Sequence, residues 1–129
     1  MADPSYPSDL LYHPEHDWAR IDGENATFGI TWYAQDALGE VVFFYPPKVG
    51  AEISMGDSYT EVESVKAVSD VIAPQSGEIV EINGVLSENP EKINEDPYGE
   101  GWLVKVKLSD PSQTESLMSA ADYEATLGS

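Results

Sequence analysis

Few residues in this chain have chemical reach. Cysteine is absent from the 129 residues, which removes disulfides, zinc–thiolate sites and any thiol nucleophile. Sulfur or redox chemistry would have to arrive on a cofactor. Histidine occurs twice, as His13 and His16, both in the proline-flanked segment YHPEHDW. A Ser-His-Asp relay would therefore need that segment to fold back onto the rest of the chain. With Asp17 the two spell H-x-x-H-D, but metal ligands three apart need a helix or rigid turn and a distant further ligand, and Pro14 opposes the helix. No metal is expected. The remaining candidate is Lys66, isolated in EVESVKAVSD, with the other lysines at Lys48, Lys92, Lys105 and Lys107. An amine on a tight turn is accessible and mobile on a four-carbon stem, so it suits covalent attachment. The competing reading is a lysine that only solubilises a strand-rich surface.

The elements around Lys66 must present it. Tyr59, Glu61 and Glu63 alternate with Thr60, Val62 and Ser64, and beyond the lysine Val68, Asp70 and Ile72 alternate with Ala67, Ser69 and Val71. Period-two patterns on both sides predict a β-hairpin with Lys66 near its tip. Upstream, DWARID and NATFGI predict another hairpin, with Gly23 and Asn25 in the turn. TWYAQDALG predicts a short helix capped by Thr31 and stopped by Gly39. EVVFFYPP predicts a strand buried on both faces, ended by Pro46 and Pro47. Downstream come a brief strand between Gly50 and Gly56, a turn and strand in APQSGEIVEING, a short helix around 90–94 and a last strand in WLVKVKL with Lys105 and Lys107 on one face. The tail SQTESLMSAADYEATL reads as helical, with Ser119 to Asp122 resembling a capping box. GAEISMGD and GEIVEING echo one another as Gly, apolar strand, Gly. The class is mainly β: a small sandwich or barrel built of hairpins, with short helices and a C-terminal helix.

Residues 1–9, with Pro4 and Pro7 among small polar residues, predict a mobile leader, and 10–129 a single domain. The longest apolar patch, VVFFYPP, is strand-sized, and the N-terminus lacks the basic-then-apolar order of a secretory signal. A cytoplasmic monomer is expected. A formal charge of −18 repels phosphate backbones and anionic bilayers, so neither nucleic acid nor membrane is expected as a partner.

ESVKAVSD, followed by APQSGEIVEIN and NEDPYGEGWLVKVKL and preceded by HPEHDW and GITWYAQDALGEVVF, resembles the H protein of the glycine cleavage system from about Leu10 to Leu127. The resemblance implies a lipoyl/biotinyl-type barrel-sandwich hybrid in which Lys66 carries lipoic acid in amide linkage, with Glu63, Ser64, Val65 and Ala67 as the attachment motif. It implies a shuttle rather than a catalyst. The aminomethyl group of glycine would pass from a pyridoxal-phosphate glycine decarboxylase to a tetrahydrofolate-dependent aminomethyltransferase, and a FAD-containing dihydrolipoyl dehydrogenase would reoxidise the dithiol. A lipoate-attaching enzyme completes the partner set. The resemblance also places the loaded arm near Asp17 and Asp70, where these residues would shield the adduct from water. Asp17 stands where glutamate is commoner and reaches one methylene less. Other departures are Trp32, where a small or acidic residue is commoner, and Tyr45-Pro46, where an acidic or polar residue before Leu-Pro is usual. Biotinyl domains share the hairpin but usually flank the lysine with methionines, where Val65 and Ala67 stand here. A lipoyl relay serving other lipoate-dependent enzymes, and an interaction module that never receives lipoate, are further alternatives.

Overall fold

The computed structural model describes residues 6–127. A meander of β1 (Leu11–His13), β2 (Asp17–Asp22) and β3 (Asn25–Ile30) leads into α1 (Trp32–Leu38) and β4 (Val41–Tyr45). β5 (Glu52–Ile53), β6 (Ser58–Ser64), β7 (Val68–Ile72) and β8 (Gly77–Ile82) follow, then α2 (Lys92–Glu95), β9 (Val104–Leu108) and α3 (Ala120–Leu127), with 3-10 turns at Gly84–Ser87 and Pro111–Ser116. Among the described residues the strands form two antiparallel sheets, one six-stranded in the order β1-β2-β3-β9-β8-β5 and one three-stranded in the order β4-β6-β7. Phe28, Val41, Phe44, Val62, Ile79 and Val106 are among the side chains buried in the main core. At roughly 1.5–3 kcal/mol for each large apolar side chain, that burial is the main force holding the sheets together. The two echoing segments prove to be neighbours, since β5 pairs with β8 through Glu52 with Glu78 and Ile53 with Gly77.

A second, smaller cluster packs separately from the main core. Leu10, Tyr12, Trp18, Ala120 and Tyr123 pack with Tyr6, Tyr98 and Trp102 around them. Backbone bonds seal it: Tyr12 N–H donates to Met118 O at 2.8 Å and Met118 N–H to Tyr12 O at 2.7 Å. Trp18 lies flat over Gly29, where an added Cβ would fall 2.5 Å from the indole, so only glycine lets the ring approach β3. Of the expected leader, residues 1–5 lie outside the described residues; Tyr6 packs edge-on against Tyr12 and Tyr123, with ring centroids 6.4 and 5.6 Å apart.

Three expectations need correction. β4 is buried on one side only: Val41 and Phe44 point inward, whereas Val42, Phe43 and Tyr45 are exposed. It is the edge of a three-stranded sheet with a single covered face, so aromatic composition does not signal two-sided burial there. The first hairpin turns on Gly23 and Glu24, because Asn25 already pairs with Asp22. Tyr59 does not share the outer face of Glu61 and Glu63 but is buried, a register shift between Ser58 and Thr60 having turned it inward. The helix TWYAQDALG forms as expected, with Ala34 N–H donating to Thr31 Oγ1 at 3.2 Å and the N–H of Gly39 to Gln35 O. Ser119 Oγ likewise accepts from Asp122 N–H at 3.2 Å at the head of α3.

Candidate functional site

Lys66 stands at the tip of the β6–β7 hairpin on a backbone that is pinned throughout. Ser64 N–H donates to Ala67 O at 2.8 Å, and Val65 N–H donates to Glu40 O at 3.0 Å, tying the tip to the start of β4. Ser64 Oγ accepts the N–H groups of Lys66 and Ala67, both at 3.1 Å, and donates to Ala67 O at 3.2 Å. One hydroxyl thereby uses its donor and both acceptors inside a four-residue turn. The Lys66 side chain is exposed, and its Nζ makes no ion pair or hydrogen bond among the described residues. Its stem crosses Gly39, whose φ of 87° favours glycine and where an added Cβ would lie 3.0 Å from Lys66 Cε. Asn94 steadies that crossing point, accepting from Val41 N–H at 2.8 Å and donating to Gly39 O at 2.8 Å and Gln35 Oε1 at 3.0 Å.

Beside the tip opens a cleft of about 360 Å³ whose apolar wall includes Ile30, Ala34, Leu38 and Val62, with Ala67 and Val68 at the hairpin side. The same cleft is lined by Glu15, Asp17 and Asp70, so the structure brings the two aspartates singled out from the sequence to one place. Their environments differ. Asp17, the first residue of β2, is only 1% exposed, and its Oδ2 has no hydrogen-bond partner among the described residues. Burial, with a smaller contribution from Glu15, pushes its carboxyl well above the usual range and favours the protonated acid. Asp70 is exposed and accepts a bond from Ser58 Oγ at 3.3 Å. The Tyr59 hydroxyl is also buried without a partner, and burial and the nearby Asp17 push it up as well.

Sequence reasoning did not connect His16 with this cleft. His16 lines it, packs against Tyr33 with ring centroids 4.5 Å apart and the planes tilted by 36°, and has its Nδ1 2.7 Å from Tyr123 Oη. His13 Nδ1 instead accepts Glu15 N–H at 3.1 Å, so the two histidines face different partners. No cluster of three or more metal-capable side chains occurs among the described residues. The outer face of β4-β6-β7 was also missed: Phe43 and Tyr45 sit edge to face at 4.6 Å, and Tyr45 Oη donates to Glu63 Oε1 at 2.6 Å. The departure at Tyr45 could have flagged it, because an aromatic residue there needs a partner on the neighbouring strand.

A β scaffold that pins a turn and leaves one lysine amine without a partner among the described residues, beside a partly apolar, partly acidic cleft, has the build of a carrier module rather than of a catalytic centre. The model for the glycine cleavage H-protein family matches residues 10–129. The chain is 50% identical over 119 residues to the glycine cleavage system H protein of Symbiobacterium thermophilum, covering 92% of this chain and 93% of the relative. It is 46% identical over 127 residues to that of Myxococcus xanthus, covering 98% of each. The crystal structure of a glycine cleavage system H protein from Mycobacterium marinum superposes with a TM-score of 0.85 at 40% identity, covering 95% of this chain and 99% of that one. The chain belongs to the glycine cleavage H-protein family, whose members are non-catalytic, lipoate-carrying components of the glycine cleavage system.

Proposed function

We propose that this chain carries lipoate in amide linkage on Lys66 Nζ and passes the aminomethyl group of glycine among glycine decarboxylase, aminomethyltransferase and dihydrolipoyl dehydrogenase, as a cytoplasmic monomer first modified by a lipoate-attaching enzyme. The observation that carries this reading is the free amine of Lys66 on a turn whose backbone is bound at Ser64, Val65, Lys66 and Ala67. An enzyme that must reach Nζ meets a fixed backbone and a mobile side chain, and little order is lost in the encounter. The residues present fit the group. The cleft's apolar wall suits its hydrocarbon chain and ring, the carboxyl groups suit a cationic cargo, and no cysteine of the chain competes in thiol exchange. Bound lipoate supplies the disulfide that accepts the cargo and the redox couple that is later restored.

The chain's own residues shelter. Glu15, Asp17 and Asp70 give the cleft acidic groups, and a cation brought beside Asp17 would favour its ionised form. Glu63 holds Tyr45 and, with Glu61 and Asp70, leaves an acidic face without ion pairs among the described residues; this face suits partners with basic rims. Peptide mass analysis of protein from its native cells tests the reading, with the lipoyl increment expected on Lys66. An unmodified lysine in cells that lipoylate other proteins, or a biotinyl increment, would overturn it. Glycine-dependent turnover with the other three components separates the shuttle from a relay of lipoyl groups to other enzymes.

A further inference from the structure

His16 is the non-glycine residue with positive φ among the described residues, at 72°. A side chain rarely adopts that region unless its surroundings hold it there. Here the backbone is bound at both ends, with His16 N–H donating to His13 O at 3.0 Å and His16 O accepting from Thr31 N–H at 3.1 Å. The imidazole then forms part of the cleft wall, against Tyr33. Its Nδ1 meets Tyr123 Oη at 2.7 Å, and the same oxygen lies 2.8 Å from Thr31 Oγ1.

Proton counting fixes the direction of this chain. Thr31 is fully buried, and its Oγ1 already accepts Ala34 N–H. If His16 donated from Nδ1 to Tyr123, one hydroxyl proton would be stranded in the interior: the threonine's if the tyrosine donates to Thr31, the tyrosine's own if Thr31 donates to it. If Thr31 donates to Tyr123, the tyrosine donates to His16 Nδ1 and both hydroxyl protons are used. Stranding a buried hydroxyl proton is the costlier arrangement. The second order requires an unprotonated Nδ1, which leaves the imidazole's single proton on Nε2, an atom without a hydrogen bond among the described residues.

We propose that Tyr123, reaching from the C-terminal helix, is a positioning residue that holds His16 neutral with its proton on Nε2, so that this wall of the cleft never presents a positive charge to a cationic cargo. The part concerning cargo rests on the proposed function. The charged and titratable groups around His16 pull in opposite directions. Glu15 on its own turn favours the imidazolium, as would Asp70 lining the same cleft from β7, whereas Asp17, held protonated by burial, adds to this pull only when ionised. Burial and the phenol proton of Tyr123 oppose them, while Tyr33 and Tyr6 close the aromatic surround of the His16–Tyr123 pair. An imidazolium here would cancel one acidic group and repel an ammonium a few ångströms away.

The test uses the full chain without lipoate. Long-range ¹H–¹⁵N NMR of the parent should show the Nε2–H tautomer of His16 from pH 6 to 8. In Tyr123→Phe, which keeps the ring packing, tautomers should mix and the His16 titration midpoint should rise. An Nδ1–H or imidazolium form in the parent at pH 7 overturns the proposal, and that measurement decides even if the variant does not fold. An unchanged tautomer and titration in a folded Tyr123→Phe also overturns it. In loaded, lipoylated protein, cargo lifetime in Tyr123→Phe should shorten several-fold at pH 6 but not at pH 8, and the added change His16→Gln should restore it. Unaltered lifetimes with the expected NMR result would overturn the role toward cargo. Absence of lipoate from Lys66 would count against the proposed function while leaving the tautomer assignment intact.

Discussion

Asp17 is a buried acid whose Oδ2 has no hydrogen-bond partner among the described residues, and this has a measurable consequence. Its folded-state pKa lies well above the ordinary 3.8 because burial penalises the charge. From about pH 4 upward the unfolded chain has released that proton while the folded chain still holds it. Asp17 therefore costs stability increasingly as pH rises toward the folded value, by about 1.4 kcal/mol for each pH increment of one. His16 runs the other way. Burial lowers its pKa from 6.5, so its contribution is present above that pH and lost as pH falls below it. The change Asp17→Asn isolates the first effect: in denaturant titrations at pH 5 and pH 8, the variant should gain on the parent by about 1 kcal/mol or more at the higher pH. A difference that does not grow with pH would show Asp17 already ionised in the folded chain at pH 5. The sequence made Asp17 and Asp70 legible through the motifs beside Trp18 and Lys66. It could not show that one is sealed and the other exposed, because burial at position 17 comes from strands and helices remote in the chain.

The β6–β7 hairpin was readable because its alternation is local, whereas its closure was not. Nothing in EVESVKAVSD says that Ser64 would spend its whole hydrogen-bonding capacity on Lys66 and Ala67. Substituting Ser64→Ala removes that hydroxyl and should cost about 1–2 kcal/mol, since it was satisfied on both its donor and acceptor sides. Amide exchange at Lys66 and Ala67 should quicken more than exchange in the paired strand at Val62. Acylation of Lys66 should show a raised KM with little change in kcat if the turn's rigidity serves recognition. Equal protection of the tip amides in parent and variant would mean that the backbone bonds, Ser64 N–H to Ala67 O and Val65 N–H to Glu40 O, hold the turn without the hydroxyl. The errors at this scale share one cause. β4 and Tyr59 were assigned faces by composition and strict alternation, but an edge position exposes Phe43 and Tyr45, and a bulge turns Tyr59 inward.

Over the whole molecule, class was legible because several separated motifs occur in a fixed order, and together they are far more specific than any one of them. The joining of the termini was not: the Tyr12–Met118 bridge and the packing of Tyr12 on Tyr123 at 4.9 Å link distant segments that carry no mutual local signal. Charge is the other whole-molecule property. The formal net charge is −18, while the ion pairs among the described residues use only Lys92 and Lys105, with side chains from 33% to 65% exposed. Exposed pairs of that kind contribute little, about 0–1 kcal/mol each, so attraction does not offset the spread repulsion among carboxylates. Salt should therefore stabilise the fold. Raising sodium chloride from about 10 mM to about 0.3 M shortens the screening length from roughly 30 Å to below 10 Å, and Tm should climb by several degrees and then level off. Chloride suits the experiment because sulfate would also strengthen apolar burial. A Tm that stays flat or falls would mean that local pairs outweigh the net charge.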